Sequence, residues 1–225
     1  MKTDYLYGTP YNIMQDKELY HFNSDTEFLG RMLKIKAEET VLDIGTNTGA
    51  LMLFASMHTK HLCGIDLFPE QISRTRSNLF MNGLEGETYV CRIQDFQHKP
   101  FDVILCNPPY FNTKDNRLKN DNMYKRAARH EEYLTPDELF QAVGRLLRKD
   151  GHFWMVHRAS RRQELIHMAE KHGLYPCLIR ISYDHIGGIE KSVVMVFGRE
   201  FGPCYEAAPA FMDQRDSFVF EACVK

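Results

Sequence analysis

The chain has 225 residues, of which 44% are hydrophobic and 26% charged, and its formal net charge is −2. This length and composition are ordinary for one large α/β domain. The net charge excludes the globally basic composition of many nucleic-acid-binding proteins. No apolar run approaches the roughly 18 residues that a membrane helix needs. The first residues, MKTDYLYGTPYN, have neither signal-peptide nor transit-peptide character. We therefore expect a cytoplasmic protein that has no membrane partner.

The six cysteines and ten histidines are scattered along the chain. The sequence contains neither a CxxC pair nor an HExxH arrangement. Widely spaced cysteines beside apolar runs are typical of buried free thiols rather than of disulfides or a zinc site. We predict that the protein has no metal.

Residues 1–39 contain no strand-like run, and we predict that they form an N-terminal cap segment with one helix at about 25–35. From residue 40 to 200 strands and helices alternate, which predicts one domain with a doubly wound, seven-stranded, mostly parallel α/β sheet. The strand-like runs are 40–44, 61–66, 88–93, 101–106, 152–157, 176–182 and 191–198, and helical patterns lie at about 49–58, 69–82, 135–148 and 160–172.

The last two strands break the alternation. Only a short loop with Gly187 and Gly188 joins them, which predicts an antiparallel C-terminal hairpin at one edge of the sheet. Residues 201–225 form a C-terminal tail to which the sequence assigns no role.

A glycine-containing turn follows the first predicted strand in VLDIGTNTGALML (41–53). Gly45 and Gly49 are spaced GxxxG, and Asn47 stands where the dinucleotide fingerprint GxGxxG needs a glycine. The turn therefore suits a ligand that approaches the backbone closely at one point rather than a pyrophosphate. A purely structural tight turn is the alternative.

Three acidic residues lie at or just after the ends of successive predicted strands: Asp43, Asp66 and Asp95. Asp66 lies at the distance from the glycine turn where a carboxylate accepts hydrogen bonds from both ribose hydroxyls. Asp95 is followed by Phe96, a pair suited to an exocyclic amine and an adenine face. Each acid could instead cap a helix or form a turn. Together they predict a pocket for an adenosine-containing ligand.

The stretch LCNPPYF (105–111) ends the fourth predicted strand. Prolines cannot donate backbone hydrogen bonds, so Pro108 and Pro109 stop the strand in a stiff corner. The side-chain carbonyl of Asn107 and the backbone carbonyl of Pro108 are two acceptors, which suit a planar NH₂ group. Tyr110 offers a face on which a flat ring stacks, and Phe111 widens that face. The alternative is a proline turn with no ligand.

Two basic stretches flank this corner. Residues 114–129 carry six Lys or Arg against two Asp, and residues 145–162 carry six against one. Residues 112–130 form a polar connection of a length that is usually functional or disordered. Solvated surfaces are the ordinary interpretation of such runs, but two of them beside a candidate site favour a polyanionic substrate.

In this order, DIGTNTG (43–49), ID (65–66), QDF (94–96) and NPPY (107–110) resemble the class I S-adenosylmethionine-dependent N6-adenine methyltransferases. More closely, the chain is similar to the bacterial tRNA1(Val) (adenine-37)-N6-methyltransferases. That similarity rests on FNSDTEFLG (22–30), NPPYF (107–111), ARHEE (128–132) and MVHRASR (155–161), and covers about residues 5–198. It implies a Rossmann-like fold, the cofactor S-adenosylmethionine and the product S-adenosylhomocysteine.

The resemblance also implies a role for each site residue. For the cofactor these are Asp43, Gly45, Asn47 and Gly49 around the methionine part, Asp66 at the ribose, Asp95 and Phe96 at the adenine, and Thr26 closing over it. For the target base the catalytic residues are Asn107, Pro108 and Tyr110, with Pro109, Phe111, Arg126, Arg129 and Arg158 as substrate-binding candidates. Asn47 departs from the family's usual glycine; asparagine tolerates the left-handed conformation better than most residues.

The resemblance implies transfer of a methyl group to the N6 amine of an adenine in tRNA, with adenine 37 of tRNA1(Val) as the target. Adenine in ribosomal RNA or DNA, or a release-factor glutamine, stays open, because each offers a planar amine to the same corner. A non-catalytic nucleotide-binding module would have no reason to keep NPPY, and a nicotinamide oxidoreductase is disfavoured by the glycine spacing.

Overall fold

The computed structural model describes residues 2–15, 23–108 and 134–220. In chain order the strands are β1 (Lys2–Tyr5), β2 (Asn12–Gln15), β3 (Val41–Ile44), β4 (Leu62–Asp66), β5 (Glu87–Val90), β6 (Phe101–Cys106), β7 (Leu147–Arg158), β8 (Tyr175–Tyr183), β9 (Glu190–Gly198), β10 (Tyr205–Glu206) and β11 (Ala210–Phe211). The α-helices are α1 (Ser24–Met32), α2 (Ala50–Ala55), α3 (Pro69–Met81), α4 (Pro136–Leu146) and α5 (Arg162–Lys171), with 3₁₀ turns at Ala159–Arg161 and Arg215–Phe218.

The central sheet has nine strands in the order β10-β8-β9-β7-β6-β3-β4-β5, and β11 also pairs with β8. Strands β3 to β7 run parallel, whereas β9 is antiparallel to both β7 and β8. The doubly wound sheet and its antiparallel hairpin confirm the predicted fold class. Seven strands match the predicted runs, and the other two are short segments of the C-terminal tail.

The prediction that residues 1–39 lack a strand is wrong. Strands β1 and β2 form an antiparallel two-stranded sheet with Lys2 opposite Gln15 and Tyr5 opposite Asn12. Their sequences, KTDY and NIMQ, lack the apolar alternation that identifies a half-buried strand. Residues of helix α3, described below, stabilise this hairpin instead. The helix predicted at 25–35 is present as α1.

Two other boundaries differ from the predicted ones. Strand β5 ends at Val90 rather than residue 93, and β7 begins at Leu147 rather than residue 152. Leu147 is already extended, with φ −85° and ψ 136°, so the basic residues after it belong to the strand. The pairing of β7 with β6 is irregular there, and Gly151 lies inside the strand. At the start of α4, Thr135 is the N-cap before Pro136.

The sheet is covered on both faces, because alternate strand residues point to opposite sides. One apolar cluster joins Val41 and Val103 to α1 and α2, and extends to Phe218 of the tail. The other joins Leu42 and Ile104 to α4 and α5. Both faces are therefore buried, as in other parallel sheets.

Some features are absent from the described part of the chain. No helix within residues 2–15, 23–108 and 134–220 is long and apolar enough to cross a membrane. The same residues contain no group of three or more His, Cys, Asp or Glu that could hold a metal ion. Among them, five cysteines are free thiols: Cys63, Cys91, Cys106, Cys177 and Cys204.

Candidate functional site

The glycine turn links β3 to α2 through alternate residues in the left-handed conformation. The φ angles are 70° at Gly45, 51° at Asn47 and 81° at Gly49. Asn47 is the only residue other than glycine with positive φ in the described chain, and asparagine is enriched in that region. Backbone N–H groups of Gly45 and Thr46 both donate to Ile65 O at 2.9 Å, which ties the turn to β4.

The turn leaves backbone open to a ligand at Gly45. Apart from its chain neighbours, no atom of the described residues lies within 4 Å of the point that a Cβ of residue 45 would occupy. By contrast, a Cβ at Gly49 would approach Thr75 Cγ2 to 3.0 Å. Gly45 therefore faces open space, whereas Gly49 lets α2 start close against α3.

Asp43 places a buried carboxylate under this turn. It is 1% exposed, and its Oδ2 accepts a 2.7 Å hydrogen bond from the Thr46 hydroxyl. No donor among the described residues reaches its other oxygen, Oδ1. Burial raises the pKa of Asp43 to about 7, although the Thr46 hydrogen bond opposes that rise. A buried acceptor without a donor suits a ligand that brings a cationic N–H group.

Asp66 lies at the end of β4, beside the same turn. Its Oδ2 accepts from the backbone N–H of Asn47 at 3.0 Å, and its Oδ1 accepts from that of Phe68 at 3.0 Å. Burial raises its pKa, and these backbone hydrogen bonds oppose the rise. Each carboxylate oxygen has a further lone pair, so a fixed Asp66 can still accept from two hydroxyls.

The proline corner lies next to the glycine turn, because β6 pairs in parallel with β3. Cys106 is opposite Ile44, so Asn107 follows the strand end that adjoins Gly45. The Nδ2 atom of Asn107 donates a 2.7 Å hydrogen bond to the hydroxyl oxygen of Thr26, which lies in α1. Thr26 was predicted to close over a cofactor, and the structure places it against the corner.

The first turn of α1 lies over the carboxyl edge of the sheet. Its N-cap residue, Asn23, accepts hydrogen bonds from the backbone N–H groups of Asp25 and Thr26. Asp25, in the first turn of the helix, accepts a hydrogen bond from the hydroxyl of Ser192 on β9. Further along, Gly30 allows α1 to contact the ring of Phe54, where any Cβ would clash. The helix start is thus fixed above the end of β6 and the start of β9.

A small cleft, partly open to solvent, lies between the glycine turn and this helix start. Five of its lining residues were predicted from the sequence: Thr26, Asp43, Gly45, Asn47 and Asn107. Four were not: Thr46, Thr48, Ala50 and Leu51. These four alternate with the predicted residues or follow them, and their types carry no chemical signal of their own.

Other predicted residues do not line this cleft. Asp95 is exposed, whereas Phe96 is 5% exposed and packs with the rings of Tyr89, His98 and Phe101. Pro108 is half-buried directly after Asn107.

Arg158 is exposed at the end of β7, opposite Ser192. The remaining predicted residues lie outside the described ranges: Pro109, Tyr110, Phe111, Arg126 and Arg129.

Residues 35–194 match the model of a protein family described as a methyltransferase domain. Three similar proteins are each named tRNA1(Val) (adenine(37)-N6)-methyltransferase. That from Cytophaga hutchinsonii is 28% identical over 78% of this chain and 75% of its own. That from Phocaeicola vulgatus is 25% identical over 91% and 88%, and that from Pedobacter heparinus is 31% identical over 68% and 66%.

Solved structures share the fold. A methyltransferase from Pyrococcus furiosus has a TM-score of 0.65 at 16% identity, covering 87% of this chain and 92% of its own. A ribosomal protein L11 methylase from Lactobacillus delbrueckii subsp. bulgaricus has a TM-score of 0.59 at 16% identity, covering 83% and 84%. At these identities the similarity concerns the fold.

Proposed function

Because the chain belongs to the methyltransferase-domain family, we propose that it transfers the methyl group of S-adenosylmethionine to the N6 amine of an adenine in tRNA. We propose adenine 37 of tRNA1(Val) as that base. One observation carries the proposal: the Asn107 amide lines the same cleft as the buried carboxylate of Asp43. An amine acceptor and a site for a cationic ligand group therefore lie side by side.

The residues present fit S-adenosylmethionine. Asp43 Oδ1 is a buried acceptor for the ammonium group of its methionine part, and the open space at Gly45 admits the ligand against the backbone. Asp66 is held in place to accept from two ribose hydroxyls. The exposed Asp95 suits the amine of the cofactor adenine, and Phe96 contributes an edge of its mostly buried ring. When bound, the cofactor supplies an electrophilic methyl group.

The corner prepares the target amine. The lone pair of an adenine amine is delocalised into the ring, which makes the nitrogen a poor nucleophile. Asn107 Oδ1 and the Pro108 carbonyl accept its two N–H groups, which localises electron density on that nitrogen. Fixing the nitrogen in line with the methyl group supplies most of the remaining rate enhancement. As the nitrogen–carbon bond forms, the bond from the methyl carbon to the cofactor's sulfur would break, leaving S-adenosylhomocysteine, and one amine proton would leave to solvent.

The choice of tRNA is supported by the relatives' names and by the basic residues. Three similar proteins act, by name, on adenine 37 of tRNA1(Val). Arg158 is exposed at the same edge of the sheet as Asn107, where it suits a phosphate of the RNA backbone. We assign Arg126 and Arg129 to the same role and Tyr110 to base stacking. An unpaired anticodon-loop base costs less to bring into such a corner than a base inside a duplex.

The test is methyl transfer from labelled S-adenosylmethionine into unmodified tRNA1(Val) transcript, with nucleoside analysis by mass spectrometry. We expect N6-methyladenosine, and we expect a transcript with guanosine at position 37 to stay unlabelled. Replacing Asn107 by Ala should lower kcat by about 10²–10³-fold, as for loss of one preorganised hydrogen-bonding group in other enzymes.

Binding of S-adenosylhomocysteine, measured by calorimetry, is the control for that variant and should stay within about threefold of wild type. Label in the guanosine-37 transcript would overturn the assigned nucleotide. Cofactor binding without any label in tRNA would overturn the tRNA assignment, and ribosomal RNA, DNA and release-factor glutamine would then be the substrates to test.

A further inference from the structure

We propose that Thr26 is a positioning residue that fixes the orientation of the Asn107 side-chain amide through a hydrogen bond. The N-cap residue of α1, Asn23, in turn fixes the direction in which the Thr26 hydroxyl donates. The inference rests on the proposed function, since it concerns the group that accepts the target amine. It depends on three side chains, Asn23, Thr26 and Asn107, which are up to 84 residues apart in sequence.

The chain of hydrogen bonds starts from donors whose direction is fixed. The backbone N–H groups of Asp25 and Thr26 both lie 3.1 Å from the side-chain oxygen of Asn23. A main-chain N–H can only donate, so the atom of Asn23 that faces them is its oxygen and not its nitrogen. This is the ordinary N-cap arrangement, and it removes the usual ambiguity between the two ends of an asparagine amide.

Asn23 fixes the direction in which the hydroxyl of Thr26 donates its hydrogen bond. Its Oγ1 lies 3.3 Å from the same Asn23 oxygen, which carries no proton, so the hydroxyl proton points to Asn23. A hydroxyl has one proton and two lone pairs. The oxygen of Thr26 is therefore an acceptor toward any other neighbour.

That neighbour is the amide of Asn107, 2.7 Å away. Only the NH₂ end of the amide can donate, so Nδ2 faces Thr26. A reversed amide would set its oxygen against the lone pairs of Thr26, which is repulsive at this distance. Since Thr26 is only 6% exposed, water has little access to relieve that repulsion. The planar amide then directs Oδ1 away from Thr26, as an acceptor for the substrate.

The proposal differs from direct contact between Thr26 and the cofactor, which the resemblance implied. If Thr26 acts through Asn107, its hydroxyl affects the amide and the methyl-transfer step. If Thr26 contacts the cofactor, its removal weakens binding of S-adenosylhomocysteine. Replacing Thr26 by Val removes the hydroxyl and keeps the shape, while Thr26→Ser keeps the hydroxyl.

A matched control is Thr59→Val. Thr59 is also buried, at 3% exposure, and its hydroxyl bonds to the carbonyl oxygens of Ala37 and Glu39 before β3, at the opposite edge of the sheet. The same chemical change there costs a buried hydroxyl without touching the site.

The first experiment observes the amide itself, without substrate. In ¹⁵N-asparagine-labelled protein, the side-chain NH₂ signal of Asn107 is assigned by its loss in Asn107→Ala. We expect Thr26→Val to speed its exchange with water about fivefold or more, the amount that corresponds to one lost hydrogen bond of about 1 kcal/mol. Thr26→Ser and Thr59→Val should leave the exchange rate within about twofold. Equal exchange in wild type and Thr26→Val would overturn the proposal.

The second experiment measures methyl transfer in a double-mutant cycle. Thr26→Val should lower kcat about tenfold with KM and S-adenosylhomocysteine affinity unchanged, and in an Asn107→Ala background it should change kcat less than twofold. Equal effects in both backgrounds, or weaker cofactor binding alone, would overturn the proposal in favour of direct cofactor contact. If wild type fails to methylate tRNA, the tRNA assignment fails, and the exchange experiment alone decides the role of Thr26.

Discussion

The N-terminal segment contacts the rest of the protein in several ways, and two of these attachments use different chemistry. The β1–β2 hairpin is held on α3 by side chains that bond to main-chain groups. The start of α1 is held over the sheet by side chains that bond to other side chains, among them Asn107.

The hairpin attachment depends on two asparagines one helical turn apart. Asn78 accepts from the N–H of Met14 at 2.7 Å and donates to its carbonyl at 3.2 Å. Asn82 does the same for Asn12, at 3.1 and 2.8 Å. Four helical residues rise about 6 Å and two strand residues about 6.6 Å, so the two amides match alternate residues of β2. The helix thereby substitutes for a neighbouring strand.

The comparison separates stability from reactivity. Main-chain bonds to β2 can form with any residue except proline at positions 12 and 14, so they anchor the segment without contributing a reactive group. The bonds at the start of α1 end on the group proposed to accept the substrate amine. Disturbing the hairpin should therefore lower stability, whereas disturbing the helix start should lower kcat.

Of the predicted effects, that of Asn78→Ala on the stability of the fold is expected to be the largest. Asn78 is fully buried and also donates to Thr48 O in the glycine turn at 2.8 Å. Its loss leaves three main-chain partners unpaired, so the free energy of unfolding should fall by about 3 kcal/mol. Denaturant unfolding measures this. A loss below about 1 kcal/mol would show that the hairpin contributes little to the fold.

A change of pH tests the candidate site without any substitution. Because burial raises the pKa of Asp43 from 3.8 to about 7, the folded protein holds this proton more tightly than the unfolded chain. The stabilising effect of this proton is fully present below about pH 4 and is lost as pH rises through about 7. An ammonium ligand needs the ionised form, so affinity should change in the opposite direction.

Calorimetry of S-adenosylhomocysteine binding should therefore show affinity rising roughly five- to tenfold between pH 6 and 7.5, as the ionised fraction of Asp43 grows. Asp43→Asn is the control, and its weaker binding should vary little over that range. An equal pH dependence in the variant would assign the effect to another group.

The smallest expected effect is that of Asn82→Ala, which tests the second asparagine that holds the hairpin. Asn82 makes the same pair of bonds as Asn78 to its own strand residue but is only half-buried, so water replaces much of what is lost. We expect the free energy of unfolding to fall by about 1 kcal/mol or less. If Asn82→Ala lowers the free energy of unfolding as much as Asn78→Ala does, the additional contact of Asn78 with Thr48 contributes little to stability, and the bonds to the hairpin account for the loss.

The sequence was informative where the structure depends on short-range spacing. Asp43, Gly45, Asn47 and Gly49 lie within seven residues, and strand, turn and helix follow from their order. The pairing of β3 with β6 was also predictable, because strands alternate with helices and doubly wound sheets have few orders.

The sequence was uninformative where the structure depends on distant polar pairs. The bond from Thr26 to Asn107 spans 81 residues, and that from Asn78 to Met14 spans 64. Neither has a periodic signal, since one hydroxyl or amide among many is chosen by the fold. For the same reason the hairpin was missed: its strands lack apolar alternation, and their partners lie in α3.

Arg180 of β8 makes the fold depend on the last part of the chain. It is 5% exposed, and its guanidinium donates to the carbonyl oxygens of Ala208, Ser217 and Phe218. Until residues 208–218 pack on β8, Arg180 lacks these three acceptors and its guanidinium must stay in contact with water. The β8 edge of the sheet therefore closes only together with residues 208–218, which couples the docking of the tail to the burial of this cation.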